Sequence, residues 1–272
     1  MNTPQSPFCR RAALLGAAFL MLSNAQAGLI GEWRFNESGS TAVDSSGSGY
    51  DLTMRRDRTN AFDGHTSDRG GVSGRSGDRA FDPYSWNGYK NAHASSLGMI
   101  PESFTKLERF TVVLWVKMRR VPKFGETLFL MHADNRIKIT FYTKDDSGWG
   151  TLEVNGKKIG TGVGWLSTSD IGRWVNLAVS YDSTLPSGAA RFYRGDADTP
   201  IVNPFSQGGD GQASSFGPGS MLNVTRDTGL ILGNVHEVNR TWCGQIDEVR
   251  VFDTVLGAAE LDALRLKALA GP

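Results

Sequence analysis

Gly244-Gln245-Ile246-Asp247-Glu248-Val249-Arg250-Val251-Phe252 is the stretch that decides the fold. From Ile246 onward it is rich in β-branched and aromatic residues, which suit a pleated, half-buried surface, so it reads as a strand. Side chains alternate faces along a strand. Counted in twos, Asp247 shares its face with Val249 and Val251, which read as core-facing. A carboxylate aimed at a core is costly unless a cation or hydrogen-bond donors meet it. Asp247 therefore needs partners, and the choice lies between a metal ion and backbone amides. After Asp253-Thr254-Val255-Leu256 comes a short helix. Gly257 is an acceptable N-cap, Glu260 can reach back to the cap amide, and Leu256 can staple onto Leu261. Leu261, Leu264 and Ala268 form its apolar stripe.

Working outward, the same alternation recurs. Phe110, Val112, Leu114, Val116 and Met118 share one face of a long strand, while Val113 and Trp115 occupy the other, which predicts cover on both sides. Glu126–His132 and Arg136–Thr143 read as an antiparallel pair. In the second, Ile137, Ile139 and Phe141 alternate with Lys138, Thr140 and Tyr142. Trp149–Val154 leads through Asn155-Gly156, a strong hairpin signal, into Lys157–Thr161. Trp174–Asp182 pairs with Ala189–Arg194. Leu29–Asn36 is the opening strand, with Trp33 and Phe35 on one face. Arg55–Gly77 is polar and Gly-rich and reads as a long surface loop, and Pro200–Ser220 as another.

Several of these stretches resemble the laminin-G-like (concanavalin A-like) jelly-roll domains of secreted proteins. The closing Gly-x-Ile-Asp-Glu-Val-Arg-Val-Phe segment is similar to that family's C-terminal signature. Leu29–Glu37 with Asp44-Ser45-Ser46-Gly47 resembles its opening strand and turn, Phe110–Lys117 its central strand, and Arg173–Asp182 its W-x-H-L-A-V-x-Y-D strand, with Asn176 in place of the usual His. The matches run in order from about residue 29 to 265. The resemblance implies an all-β, two-sheet antiparallel jelly-roll sandwich with a short C-terminal helix. It also implies a structural Ca²⁺ bracing the chain ends through Asp44 and Asp247. Calcium takes six to eight oxygen ligands, and carboxylates are suitable donors. The alternative is that Asp44 closes an Asx turn and Asp247 accepts backbone N–H bonds.

Residues 1–27 read as a secretory signal peptide: Arg10-Arg11, the apolar run Ala12–Leu22, then Ala25-Gln26-Ala27 as a small-x-small cleavage site. One domain over 28–272 follows, placed outside the cell or in the periplasm. No later stretch has the character of a transmembrane helix. Removing residues 1–27 takes two Arg from the 29 basic residues and none of the 28 acidic ones, leaving a net charge of −1. Net charge thus offers no argument for nucleic acid or anionic membrane as partner. Cys9 leaves with the signal, and the remaining Cys243 has no internal partner for a disulfide.

Catalytic patterns are missing. Gln245 and Arg250 stand where the Glu-x-Asp-x-x-Glu strand of laminarinase-type hydrolases would carry its two carboxylates. His65, His93, His132 and His236 lack metal-ligand spacing. For sugar binding, aromatic faces with polar neighbours are the physical requirement. Tyr84, Trp86 and Tyr89 form the main non-strand aromatic cluster; Trp149, Trp165 and Trp242 are further candidates against a core-packing alternative. The sequence thus points to an exported, non-catalytic binding module for a glycan. The alternatives are a protein-interaction or adhesion domain of the envelope or matrix and, behind both, a polysaccharide hydrolase or lyase.

Overall fold

The structure is a computed structural model describing residues 28–57, 59–84, 92–96, 102–104, 107–131, 137–144, 146–155, 157–185, 189–204, 229–235 and 240–272. Residues 1–27 and most of 200–220 lie outside this set. The described strands are β1 (Leu29–Trp33), β2 (Thr41–Ala42), β3 (Leu52–Arg55), β4 (His93–Ser95), β5 (Arg109–Met118), β6 (Thr127–Met131), β7 (Ile137–Lys144), β8 (Ser147–Val154), β9 (Lys157–Ser167), β10 (Trp174–Asp182), β11 (Ala190–Asp196), β12 (Leu230–Leu232) and β13 (Gly244–Phe252). One helix, α1 (Ala258–Ala270), closes the chain.

Two antiparallel sheets form the sandwich. One runs β1-β13-β5-β10-β11, the other β2-β3-β4-β12-β6-β7-β8-β9. The two-sheet all-β fold read from the sequence is thus the observed one. Phe110, Val112, Leu114 and Val116 of β5 meet Phe129, Ile139, Phe141 and Leu152 of the larger sheet in one continuous core. The second face of β5 is also covered. Val113 packs with Phe252, Leu256, Leu261 and Leu264 under α1, and Trp115 packs with Val72 and Ala268. The helix begins as its sequence predicts, with Gly257 N–H donating to Glu260 Oε2 at 2.8 Å.

Four expectations need correction. The first concerns Asp247, which does not share a face with Val249. Register along β5 pairs Ile246 with Val116 and Asp247 with Trp115, then Arg250 with Val113, so β13 carries a bulge between Asp247 and Arg250. A bulge sets two residues against one and resets the alternation. Glu248 takes φ 50° there, in the left-handed region. Ile246, Val249 and Val251 consequently face the core together, while Asp247 and Arg250 lie on the outer face with Trp115 and Val113.

The second concerns residues 55–77, which are only partly a surface loop. Val72 within it and Asp78 just beyond it are buried, and the Val72 amide bonds Asp247 over the outer face of the smaller sheet. Phe81 then exchanges two backbone hydrogen bonds with Ile246, both 2.8 Å, where β1 no longer reaches β13. Third, Trp165 and Trp242 are fully buried, flanking Phe141 at ring-centroid distances of 5.7 and 5.5 Å. They are core, as the packing alternative required. Last, β1 is shorter than read and ends at Trp33. Phe35 beyond it has φ 56°, yet both residues remain in the core. Cys243 is buried, and that burial raises its thiol pKa.

Candidate functional site

The two residues expected to share calcium each have their own amide donors. Asp44 Oδ1 accepts from Glu32 and Ser46, and Oδ2 from Tyr50, all at 2.9 Å. Asp247 Oδ2 accepts from Val72 at 2.9 Å and Oδ1 from Glu248 at 2.7 Å. An N–H aimed at a carboxylate oxygen takes a lone-pair direction that a cation would use and brings a positive hydrogen to it. Among the described residues, no group of three or more His, Cys, Asp or Glu side chains could hold a metal ion. Each carboxylate thus has the amide donors that the backbone-capping alternative calls for. Burial pushes the Asp247 carboxyl well above its usual range, and Glu248 and Asp78 push the same way. Arg250, beside it on the strand, is buried between Glu32 and Glu248 and bonds both. This cluster binds strands together and sits beneath covering chain.

The expected aromatic cluster is described only at Tyr84; Trp86 and Tyr89 lie outside the described residues. Tyr84 is half-buried, and its amide donates to Asp82 Oδ1 at 3.1 Å. Arg119, just past β5, holds Asp82 with both terminal nitrogens, at 2.9 and 2.5 Å. A bidentate pair of this kind fixes orientation as well as distance. It anchors the start of the aromatic stretch to the end of a central strand. Beside it, Arg120 Nη2 donates to Glu126 Oε1 at 2.5 Å. Burial raises the Glu126 pKa although Arg120 opposes the shift.

A groove missed by the sequence reading crosses the outer face of the larger sheet. It encloses about 410 Å³. Its floor follows from strand register. Lys138 of β7 stands opposite Glu153 of β8, which stands opposite Lys158 of β9; the next rung is Thr140, Thr151 and Gly160. Gly160 has no side chain to fill the third seat of that rung, which helps keep the space open. Core residues Ile139 and Leu152 occupy the alternate positions, so the polar residues face outward.

The groove's wall comes from two loops. Phe124 is 74% exposed, an unusual state for a large ring. Arg240 lies over it, with its guanidinium carbon 5.7 Å from the ring centroid and Nη1 donating to the Phe124 carbonyl at 3.2 Å. Gly125 permits this approach. Its φ is +81°, and a Cβ there would come within 3.0 Å of Arg240 Cδ and Nε. Glu153 is buried and lies 3.7 Å from the Lys158 ammonium, which is mostly exposed. Glu153 is the groove's single carboxylate among its described lining residues. Tyr84 does not line it. Strand alternation already marked Lys138 and Thr140 as outward. Their meeting with Phe124 and Arg240 had no signal in the linear order.

Searches by sequence find no matching family model and no matching curated protein. Similarity of fold is clear. Domain 4 of AbnA, a GH43 extracellular arabinanase from Geobacillus stearothermophilus, solved in complex with arabinotriose, superposes with a TM-score of 0.57 at 17% identity, covering 88% of this chain and 98% of that one. The binding domain of Paraclostridial Mosquitocidal Protein 1 gives a TM-score of 0.55 at 14% identity over 88% of this chain and 52% of that one. A structure described as a receptor binding domain gives 0.51 at 9% identity over 91% and 53%. The chain thus spans about half the length of the latter two. These likenesses establish a jelly-roll β-sandwich. The laminin-G-like resemblance holds at the level of that shared architecture.

Proposed function

We propose that the protein is a non-catalytic glycan-binding module that acts outside the cytoplasm. The carrying observation is the groove across β7, β8 and β9, where an exposed Phe124 ring stands beside outward Thr, Lys, Glu and Arg side chains. Sugars present apolar C–H faces that stack on rings and hydroxyls that need directed polar partners. The likeness to a domain solved with arabinotriose supports this reading at the level of fold. A glycosidase needs two carboxylates flanking the bond to be cleaved. Among the described lining residues the groove offers one carboxylate, Glu153, already paired with Lys158. Binding without cleavage is the reading this lining supports. The signal-peptide reading of residues 1–27 supplies the export route.

The test is a screen of the purified protein against a broad glycan array, followed by calorimetry on Phe124→Ala and Tyr84→Ala. Loss of affinity in Phe124→Ala with an unchanged melting temperature supports the groove. Loss in Tyr84→Ala alone moves the site to the aromatic stretch 84–89. Silence across the array favours the protein-receptor role, which pull-down from envelope or matrix extracts would then reveal.

A further inference from the structure

We infer that the groove selects glycans bearing anionic groups, uronate carboxylates or sulfate esters; this inference rests on the glycan-binding reading. Three cations, Lys138, Lys158 and Arg240, line the groove with one carboxylate. Glu153 sits between the two lysines in the cross-strand rung, so it offsets part of their charge and leaves the rung net positive. Arg240 has no carboxylate partner among the described residues. Its guanidinium donates to the Phe124 carbonyl, its amide donates to Asn234 Oδ1, and its carbonyl accepts from the Thr127 amide.

The Arg240 guanidinium is nevertheless held in place. The ring below, the carbonyl at its edge and the bare backbone of Gly125 fix its plane beside the open groove. A preorganised guanidinium with N–H groups to spare is the fork that matches a carboxylate or a sulfate. A neutral sugar would leave this cation without a counter-charge, while an acidic one supplies it and can still stack on Phe124. The whole-chain charge, near neutral, conceals the patch: among the described lining residues three cations meet one carboxylate. An anion meeting exposed cations is also attracted at longer range, and salt screens that attraction.

The experiment uses polymer pairs that differ only in charge: polygalacturonate against its methyl ester, and dextran sulfate against dextran. Binding to immobilised protein is measured at low and high NaCl. We expect each bound acidic polymer to exceed its neutral counterpart at least about tenfold, with the gap shrinking as salt rises. The first pair reports carboxylate selectivity and the second sulfate selectivity. Arg240→Gln, checked for an unchanged melting curve, should reduce the acidic preference, and Arg240→Lys should restore part of it. Equal binding within both pairs overturns this inference and leaves the glycan-binding reading standing. Acidic binding that Arg240→Gln does not weaken also overturns the assignment. No binding to these polymers or to any array glycan overturns both.

Discussion

Arg250 Nε donates to Glu32 Oε1 at 2.7 Å across the β1–β13 pair, so a buried ion pair ties the sandwich's first strand to its last. The two residues are 218 positions apart. Glu248 bonds the same guanidinium from the bulge. Without the bulge Asp247 would fall on the core face with Val249 and Val251.

Breaking this cluster on one side should be severe. Arg250→Ala leaves buried Glu248 without its cation and Glu32 with Arg34 alone, and breaking a buried pair on one side typically costs about 3–5 kcal/mol. Urea unfolding should therefore show a large drop in midpoint with little change in slope. A drop under about 1 kcal/mol would show that water reaches these carboxylates and that the pair is dispensable.

Asp44 should stabilise the fold through its amides, with or without calcium. Asp44→Ala removes acceptors from three N–H groups, and leaving such donors unmet costs about 1–3 kcal/mol each when buried. Thermal unfolding of the wild type should be the same in calcium and in chelator. A bound ion at a hundredfold excess over Kd would add about 2.7 kcal/mol, so a calcium-dependent rise lost in Asp44→Ala would establish the metal site.

His65 should make stability fall above neutral pH. Its Nδ1 lies 2.8 Å from Asp63 Oδ1, and its Nε2 lies 3.8 Å from Glu37 Oε2. Burial opposes the imidazolium, but the two carboxylates outweigh it and raise the pKa. A His pKa raised on folding contributes stability that is complete below the unfolded value, about 6.5, and is lost as pH rises through the folded value. Melting curves from pH 5 to 9 should show this decline in the wild type and a flatter profile in His65→Gln.

Gly150 should tolerate no side chain. A Cβ at that position would lie 2.2 Å from Trp165 Cε3. Trp165 is fully buried and its indole N–H bonds the Tyr193 carbonyl at 3.1 Å, so it has little freedom to move. Overpacking of this kind costs about 1–3 kcal/mol. Chemical denaturation of Gly150→Ala measures it, and wild-type stability would mean that the ring repacks.

Strand positions and core composition were legible where alternation was long and unbroken. β5, β7 and β10 each carry at least three inward apolar residues, and each lies close to its expected bounds. Alternation failed at Glu248, because an inserted residue leaves no mark in hydrophobicity while it moves Asp247 to the opposite face. The loop over Asp247 was hidden for a related reason. Polar, Gly-rich composition identifies chain without regular structure, but says nothing of what that chain covers. Tyr84 could be named as an aromatic in a turn, yet its place away from the groove depends on contacts with Asp82 and Arg119.

By itself, the sequence determined a chain of alternating strands closed by a capped helix, because both the period of burial and the helix cap are local properties; the antiparallel sandwich followed from the resemblance to jelly-roll domains. Only the tertiary structure decided that Asp44 and Asp247 answer to separate sets of amides and that Phe124 and Arg240 meet Lys138, Glu153 and Lys158. Those outcomes depend on strand register and on the bulge. Register is settled by packing and cross-strand hydrogen bonds between residues far apart in the chain, a pairing that no single stretch encodes.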